Sequence, residues 1–227
     1  MSSDKEVILN SNVDELEPLG QGNRRRCFRI SGNDLCVKFY LARSEYNHTT
    51  KLSIRLNIWL SRFISCINAN CHEAYYHKIL KDSLPPDLFA VFPERVERIF
   101  SPERGWGVLE SLVLNQDGSP LRRVLVEMET ADKALRQRLF DETRRLFRRL
   151  AEHAVCFYDP PNVMVQWTGP GTFRLRIVDF EPRGRELMPC LSHIKPYVRL
   201  KVRRRCGRYL ERLRVLLASF SPDAVAH

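Results

Sequence analysis

Phe28-Arg29-Ile30 and Leu35-Cys36-Val37-Lys38-Phe39-Tyr40 are two short runs rich in β-branched and aromatic residues, parted by Ser31-Gly32-Asn33-Asp34. A glycine-containing polar turn between two such runs predicts an antiparallel hairpin. The first part of the chain is thereby committed to a sheet.

The apolar spacing then changes. Leu52, Leu56, Trp59, Leu60, Phe63 and Ile67 recur every three or four residues, which predicts an amphipathic helix over 51–67, with its apolar stripe packed on the first part of the chain. A second helix is expected over 70–80, stopped by Pro85-Pro86. Strands are expected over 91–100 and 106–114, and a long helix over 130–154, opened by Thr130 or Asp132. A strand pair over 162–167 and 173–180 and a helix over 197–220, half apolar and half arginine, complete the order. Strands with a helix, followed by a mainly helical part, predict an α+β bilobal chain: a segment of 1–15 outside the fold, a first lobe over 16–115 and a second over 116–227.

With 44 % apolar residues in 227, a sizeable core is affordable and a disordered chain is excluded. The apolar runs are too short and too interrupted by charge for a membrane span, and the first residues do not read as a signal peptide. Seven cysteines without a C-x-x-C pair fit free thiols. A cytoplasmic location is the expectation. The net charge of +10 comes mainly from arginine, so an anionic partner is plausible on charge grounds.

Leu19-Gly20-Gln21-Gly22-Asn23-Arg24-Arg25-Arg26-Cys27 lies between two expected strands. Rossmann and Walker loops lead into a helix whose N-terminus supplies part of the phosphate site, and Walker A adds Gly-Lys-Ser/Thr. Neither feature is present. A glycine loop from strand to strand is instead the form of the kinase flap over ATP phosphates, which is followed by a lysine in a V-A-I-K setting. Leu35-Cys36-Val37-Lys38 matches that setting. Such a lysine needs a helix glutamate to hold it, and Glu73 stands at the right point in the order. His72 and His77 are five apart, where a His-Glu-x-x-His metal pair needs four, so a metalloprotease is excluded. Asn162 precedes one expected strand and Asp179 closes the next, as the magnesium ligands of phosphotransferases do.

With these residues in this order the chain resembles a protein-kinase-like fold, and within it the bacterial family of PhoP regulatory network proteins of the YrbL type. The resemblance rests on Pro18-Leu19-Gly20-Gln21-Gly22, Cys36-Val37-Lys38, Glu73-Ala74-Tyr75-Tyr76, Pro160-Pro161-Asn162-Val163-Met164 and the region of Asp179, and covers about residues 16–190. It implies ATP and Mg2+ as ligands. Gly20 and Gly22 would cover the phosphates, Lys38 would contact them, Glu73 would hold Lys38, and Asn162 with Asp179 would hold the metal.

Three departures matter. The kinase base stands five residues before the metal-binding asparagine, and that position is Phe157. Glu181 replaces the glycine of D-F-G, and only 48 residues follow Asp179, too few for a protein-substrate platform. The expectation is a nucleotide- and magnesium-binding pseudokinase or atypical phosphotransferase with a regulatory role. Its alternative is an active small-molecule or lipopolysaccharide-type kinase with Asp159 as the catalytic carboxylate. A second alternative is a basic adaptor for anions or nucleic acid, using Arg144, Arg145, Arg148 and Arg149 or the segment 201–214. Besides nucleotide, an anionic small molecule or a regulatory protein is a candidate partner.

Overall fold

The computed structural model describes residues 7–8, 16–21, 24–30, 32–42, 55–56, 59–61, 64–157, 159–180 and 194–219, and is α+β. It divides into two units, residues 1–83 with 93–112, and residues 84–92 with 113–227.

The first unit is built on a sheet of β1 (Val7–Ile8), β2 (Glu17–Gln21), β3 (Arg25–Arg29), β4 (Leu35–Tyr40), β5 (Val96–Ser101) and β6 (Gly105–Ser111), in the order β1-β5-β6-β4-β3-β2. All pairings are antiparallel except β1 with β5. Val7–Ile8 thus join the sheet from within 1–15, the stretch expected to lie outside the fold; the rest of that stretch lies outside the described residues. The β3–β4 turn contains Gly32 at φ +75°, a conformation glycine adopts without a Cβ penalty.

Strand alternation sorts side chains onto two faces. Phe28, Val37, Phe39, Ile99 and Leu109 form an apolar cluster on one. Here Phe39 lies on Gly107 so closely that a Cβ would come within 2.5 Å of the ring, which is why that strand position has no side chain. The opposite alternation gives Arg25, Cys27, Cys36, Lys38 and Glu110, and α1 (Ala69–Ser83) packs against this set. The helix starts where it does because Asn68 accepts the Cys71 backbone N–H at 3.1 Å and the Tyr40 hydroxyl accepts that of Ala69 at 3.0 Å.

The expected helix over 51–67 ends early. Residues 55–56 and 59–61 are helical, but Ile64 is extended and Ser65–Ile67 form a separate 3₁₀ turn. Leu56 and Trp59 are more than half exposed, while Ser61 is buried with its hydroxyl donating to the Ile67 carbonyl. Among the described residues, then, the apolar stripe does not face inward as expected. Periodicity identified an apolar face but not what would cover it.

Residues 84–92 belong to the second unit, and the strand expected from Val91 starts only at Val96. They form α2 (Pro86–Phe89) and a turn. Asp87 pairs with Arg149 at 2.8 Å, the Val91 carbonyl accepts the Ile177 N–H at 2.7 Å, and Phe92 meets Phe180 edge-on at 5.1 Å.

The remainder of the second unit holds β7 (Arg122–Arg123), α3 (Val124–Thr130), α4 (Lys133–Glu152), β8 (Val163–Gly169), β9 (Thr172–Ile177) and α5 (Lys195–Ala218). Of the two caps weighed for the long helix, Asp132 is the one used, accepting the Leu135 N–H at 2.7 Å. The strands form an antiparallel sheet in chain order. α5 runs antiparallel along α4: Arg136 donates to the Leu216 carbonyl near one end and Arg199 to that of Glu152 near the other, with Phe147 against Tyr209 between them. No helix among the described residues is long and apolar enough to cross a membrane.

Candidate functional site

Lys38 is one member of a buried ionic cluster on the α1-facing side of the first sheet. Its ammonium lies 2.7 and 2.8 Å from the two carboxylate oxygens of Glu110 and 3.8 Å from Glu73 Oε1. The other Glu73 oxygen accepts from Arg25 at 2.6 Å, and the same guanidinium nitrogen donates to Asn70 Oδ1 at 3.0 Å. Asn70 in turn donates to the Trp106 carbonyl, so α1 is tied to β6 as well as to β3.

Two cations and two carboxylates therefore balance in a volume nearly closed to water, Glu73 being 0 % and Glu110 3 % exposed. Burial by itself would depress the Lys38 ammonium, but Glu110 and Glu73 together outweigh it and hold it above the ordinary lysine range. Burial, aided by Glu73, pushes the Glu110 carboxyl up despite Lys38. Cys27 and Cys36 adjoin the cluster. Cys36 is raised by donating to Cys27 and by burial, while Cys27 is lowered, first by that bond and then by Lys38 and Arg25.

Glu73 is thus on the expected helix and within ion-pair distance of Lys38, but the nearest partner of Lys38 is Glu110 and the nearest of Glu73 is Arg25. Neither Glu110 nor Arg25 was assigned a role from sequence. The available signal was a charge at an inward strand position: Glu110 interrupts Gly-Trp-Gly-Val-Leu-Glu-Ser, and Arg25 shares the alternation of Cys27.

Gly20 is exposed in β2, beside an irregular register, and a Cβ there would meet nothing within 4 Å. Gly22 and Glu181 lie outside the described residues.

In the second unit, Pro160–Asn162 form a 3₁₀ turn that brings Asp159, Asn162 and Asp179 together. The Asn162 amide nitrogen donates to the Asp179 carbonyl at 2.9 Å and to Asp159 Oδ2 at 3.3 Å. Its backbone N–H donates to the Asp159 carbonyl, and its carbonyl accepts from Val178. Both side-chain partners are acceptors, so the amide nitrogen must face them and the amide oxygen must face away. Asp179 has φ +64°, a left-handed conformation that aspartate tolerates better than most residues. Asp159 is exposed.

Phe157 is only 1 % exposed and packs toward Phe147, with ring centroids 6.3 Å apart. Position 157, where the resemblance would place a base, is part of the core. Among the described residues no three His, Cys, Asp or Glu side chains cluster to hold a metal, and magnesium bound with a nucleotide asks for fewer protein carboxylates than that. Neither the protein-family models nor the curated proteins contain a match to the chain.

Proposed function

We propose that the chain is a kinase-like nucleotide-binding protein of the YrbL type, acting as a pseudokinase or atypical phosphotransferase in a regulatory role in the bacterial cytoplasm. The observation that carries this reading is Lys38: a strand lysine kept charged by a helix glutamate and a second carboxylate, as a phosphate-binding lysine requires. Lys38 contacts ATP phosphates, and Glu73 and Glu110 fix its position. Gly20 supports the reading, because packing within the fold does not demand a glycine there, whereas close approach of a ligand to backbone does. Gly22 continues the same loop.

Magnesium is assigned to Asn162 and Asp179. The outward amide oxygen of Asn162 and the carboxylate of Asp179 are hard oxygen donors of the kind the ion prefers. With Phe157 inside the core, no carboxylate occupies the usual base position, and loss of a positioned base removes about 10²–10⁴-fold in rate. Binding rather than fast turnover is the main activity. Slow phosphoryl transfer with Asp159 as the carboxylate is a second reading, favoured by its exposure and its hydrogen bond to Asn162.

Calorimetric titration with ATP, with and without magnesium, tests the proposal on the wild-type chain, on Lys38→Met and on Asp179→Asn. Magnesium-dependent binding, weakened in both variants that remain folded, is the expected outcome. Absence of binding at millimolar ATP refutes it and leaves the Lys38 cluster as an internal ion network. Product analysis on wild type and Asp159→Asn then separates turnover from binding.

A further inference from the structure

α5 carries nine basic side chains and one acidic one, a net +8 of the chain's +10. Its buried residues Val198, Val202, Cys206, Tyr209 and Leu213 occupy one stripe, packed on α4. Lys201, Arg204, Arg205, Arg208 and Arg212 fall in a neighbouring arc of about 100°, extending about 16 Å along the axis. The single acid of the helix, Glu211, lies off this arc and is paired with Arg214 at 2.7 Å.

The contrast with α4 decides what the stripe is for. On the second half of α4, Arg144 pairs with Asp141, Arg145 with Glu142, Arg148 with Glu152 and Arg149 with Asp87, so each of these four has a carboxylate partner. Arg204, Arg208 and Arg212 are exposed, and among the described residues no carboxylate pairs with them. Aligned like charges repel along a helix face, and among the described residues no carboxylate offsets that repulsion for these three.

We propose that this stripe is a binding surface for the phosphate backbone of nucleic acid, engaged without regard to sequence. A line of cations matches a line of regularly spaced phosphates, and the guanidinium fork binds phosphate oxygens two at a time. An anionic membrane is the weaker match. An interfacial helix binds by sinking its apolar face into the bilayer, and the buried stripe of α5 is already committed to α4. The proposal is independent of the nucleotide reading.

The test is fluorescence anisotropy of the full chain with a random-sequence duplex of 20 base pairs across a salt series. The three unpaired arginines alone, as three phosphate contacts, predict a slope of log K on log salt of about −2.7. Replacing Arg204, Arg208 and Arg212 together by Gln should lower the magnitude of the slope by about 2.7; replacing the same three by Lys preserves the slope. The decisive control removes the same charge elsewhere, with Arg144→Gln, Arg145→Gln and Arg148→Gln on α4, and should leave the slope near that of wild type. Circular dichroism establishes that each variant is folded, and the Lys version keeps the test meaningful if the Gln version is not. The proposal is overturned by absent binding at 50 mM salt, by equal losses in the α4 and α5 sets, or by tighter binding, per phosphate, to phosphatidylserine vesicles than to the duplex.

Discussion

Glu110→Gln changes one atom type in the Lys38 cluster and leaves its shape almost untouched. In the wild-type cluster Glu110 contacts Lys38 through both oxygens, at 2.7 and 2.8 Å, while Glu73 divides its charge between Lys38 and Arg25. At 2.7 Å the gross attraction is about 6 kcal/mol for an effective dielectric of about 20. Much of this is offset by the cost of burying the carboxylate, the same cost that raises the Glu110 pKa. Removing that charge leaves two cations facing one carboxylate, a net positive charge in a closed site. Breaking one partner of a buried pair in this way costs about 3–5 kcal/mol, and the retained amide oxygen places the expected loss at the low end, about 3 kcal/mol. Lys38→Met should cost a similar amount. The double variant, however, keeps the neutral Arg25–Glu73 pair and should regain at least about 2 kcal/mol relative to the sum of the two single losses. Urea unfolding followed by fluorescence in a Trp167→Phe background, where emission comes from the first unit, supplies the three numbers. Additive losses, or a Glu110→Gln cost below about 0.5 kcal/mol, would refute the account of a charge-balanced cluster.

Two further outcomes follow from the same physics. Phe157→Ala should destabilise the second unit by about 3–5 kcal/mol, and Phe157→Asp by more, because the ring is core and the new carboxylate would be buried beside Phe147; an Asp variant that stays folded and phosphorylates substrate would contradict this placement, with thermal unfolding and product analysis as the readouts. Burial, reinforced by Lys81, depresses the His77 imidazole below its ordinary 6.5 despite the hydrogen bond to the Pro93 carbonyl and the pull of Glu73. A depressed pKa means that the unfolded chain takes up the proton first, so stability is full above pH 6.5 and falls as pH drops through the folded value; in urea titrations His77→Gln should flatten that part of the profile.

The arrangement of elements was largely legible in the sequence because it depends on local chemistry. The hairpin, α1, α4, the β8–β9 pair and α5 each follow from a turn signal, a cap or a period of 3.6 residues, and the observed ends differ from the expected ones by a few residues. Elements without such a signal were not found: β7 is two residues long, and α2 lies within a proline-rich connection. The assignment of 84–92 to the second unit rests on Asp87, Val91 and Phe92 meeting residues that are more than 60 positions away, which no local pattern encodes.

For the site, the sequence determined which residue types could bind phosphate and magnesium and in what order, together with the absence of a carboxylate at position 157. Tertiary structure alone decided how those residues are partnered. Lys38 meets Glu110 because β4 and β6 are neighbours in the sheet, and Glu73 meets Arg25 because α1 packs across β3. On α4 it added only the Arg149–Asp87 pair among the described residues, since Arg144, Arg145 and Arg148 meet acids three or four residues away on their own helix, a spacing already present in the sequence. Composition fixes how much charge a chain carries and helix spacing sets the local pairs, but the separations of a few ångströms that join Lys38 to Glu110 and Glu73 to Arg25 are set only when distant segments pack.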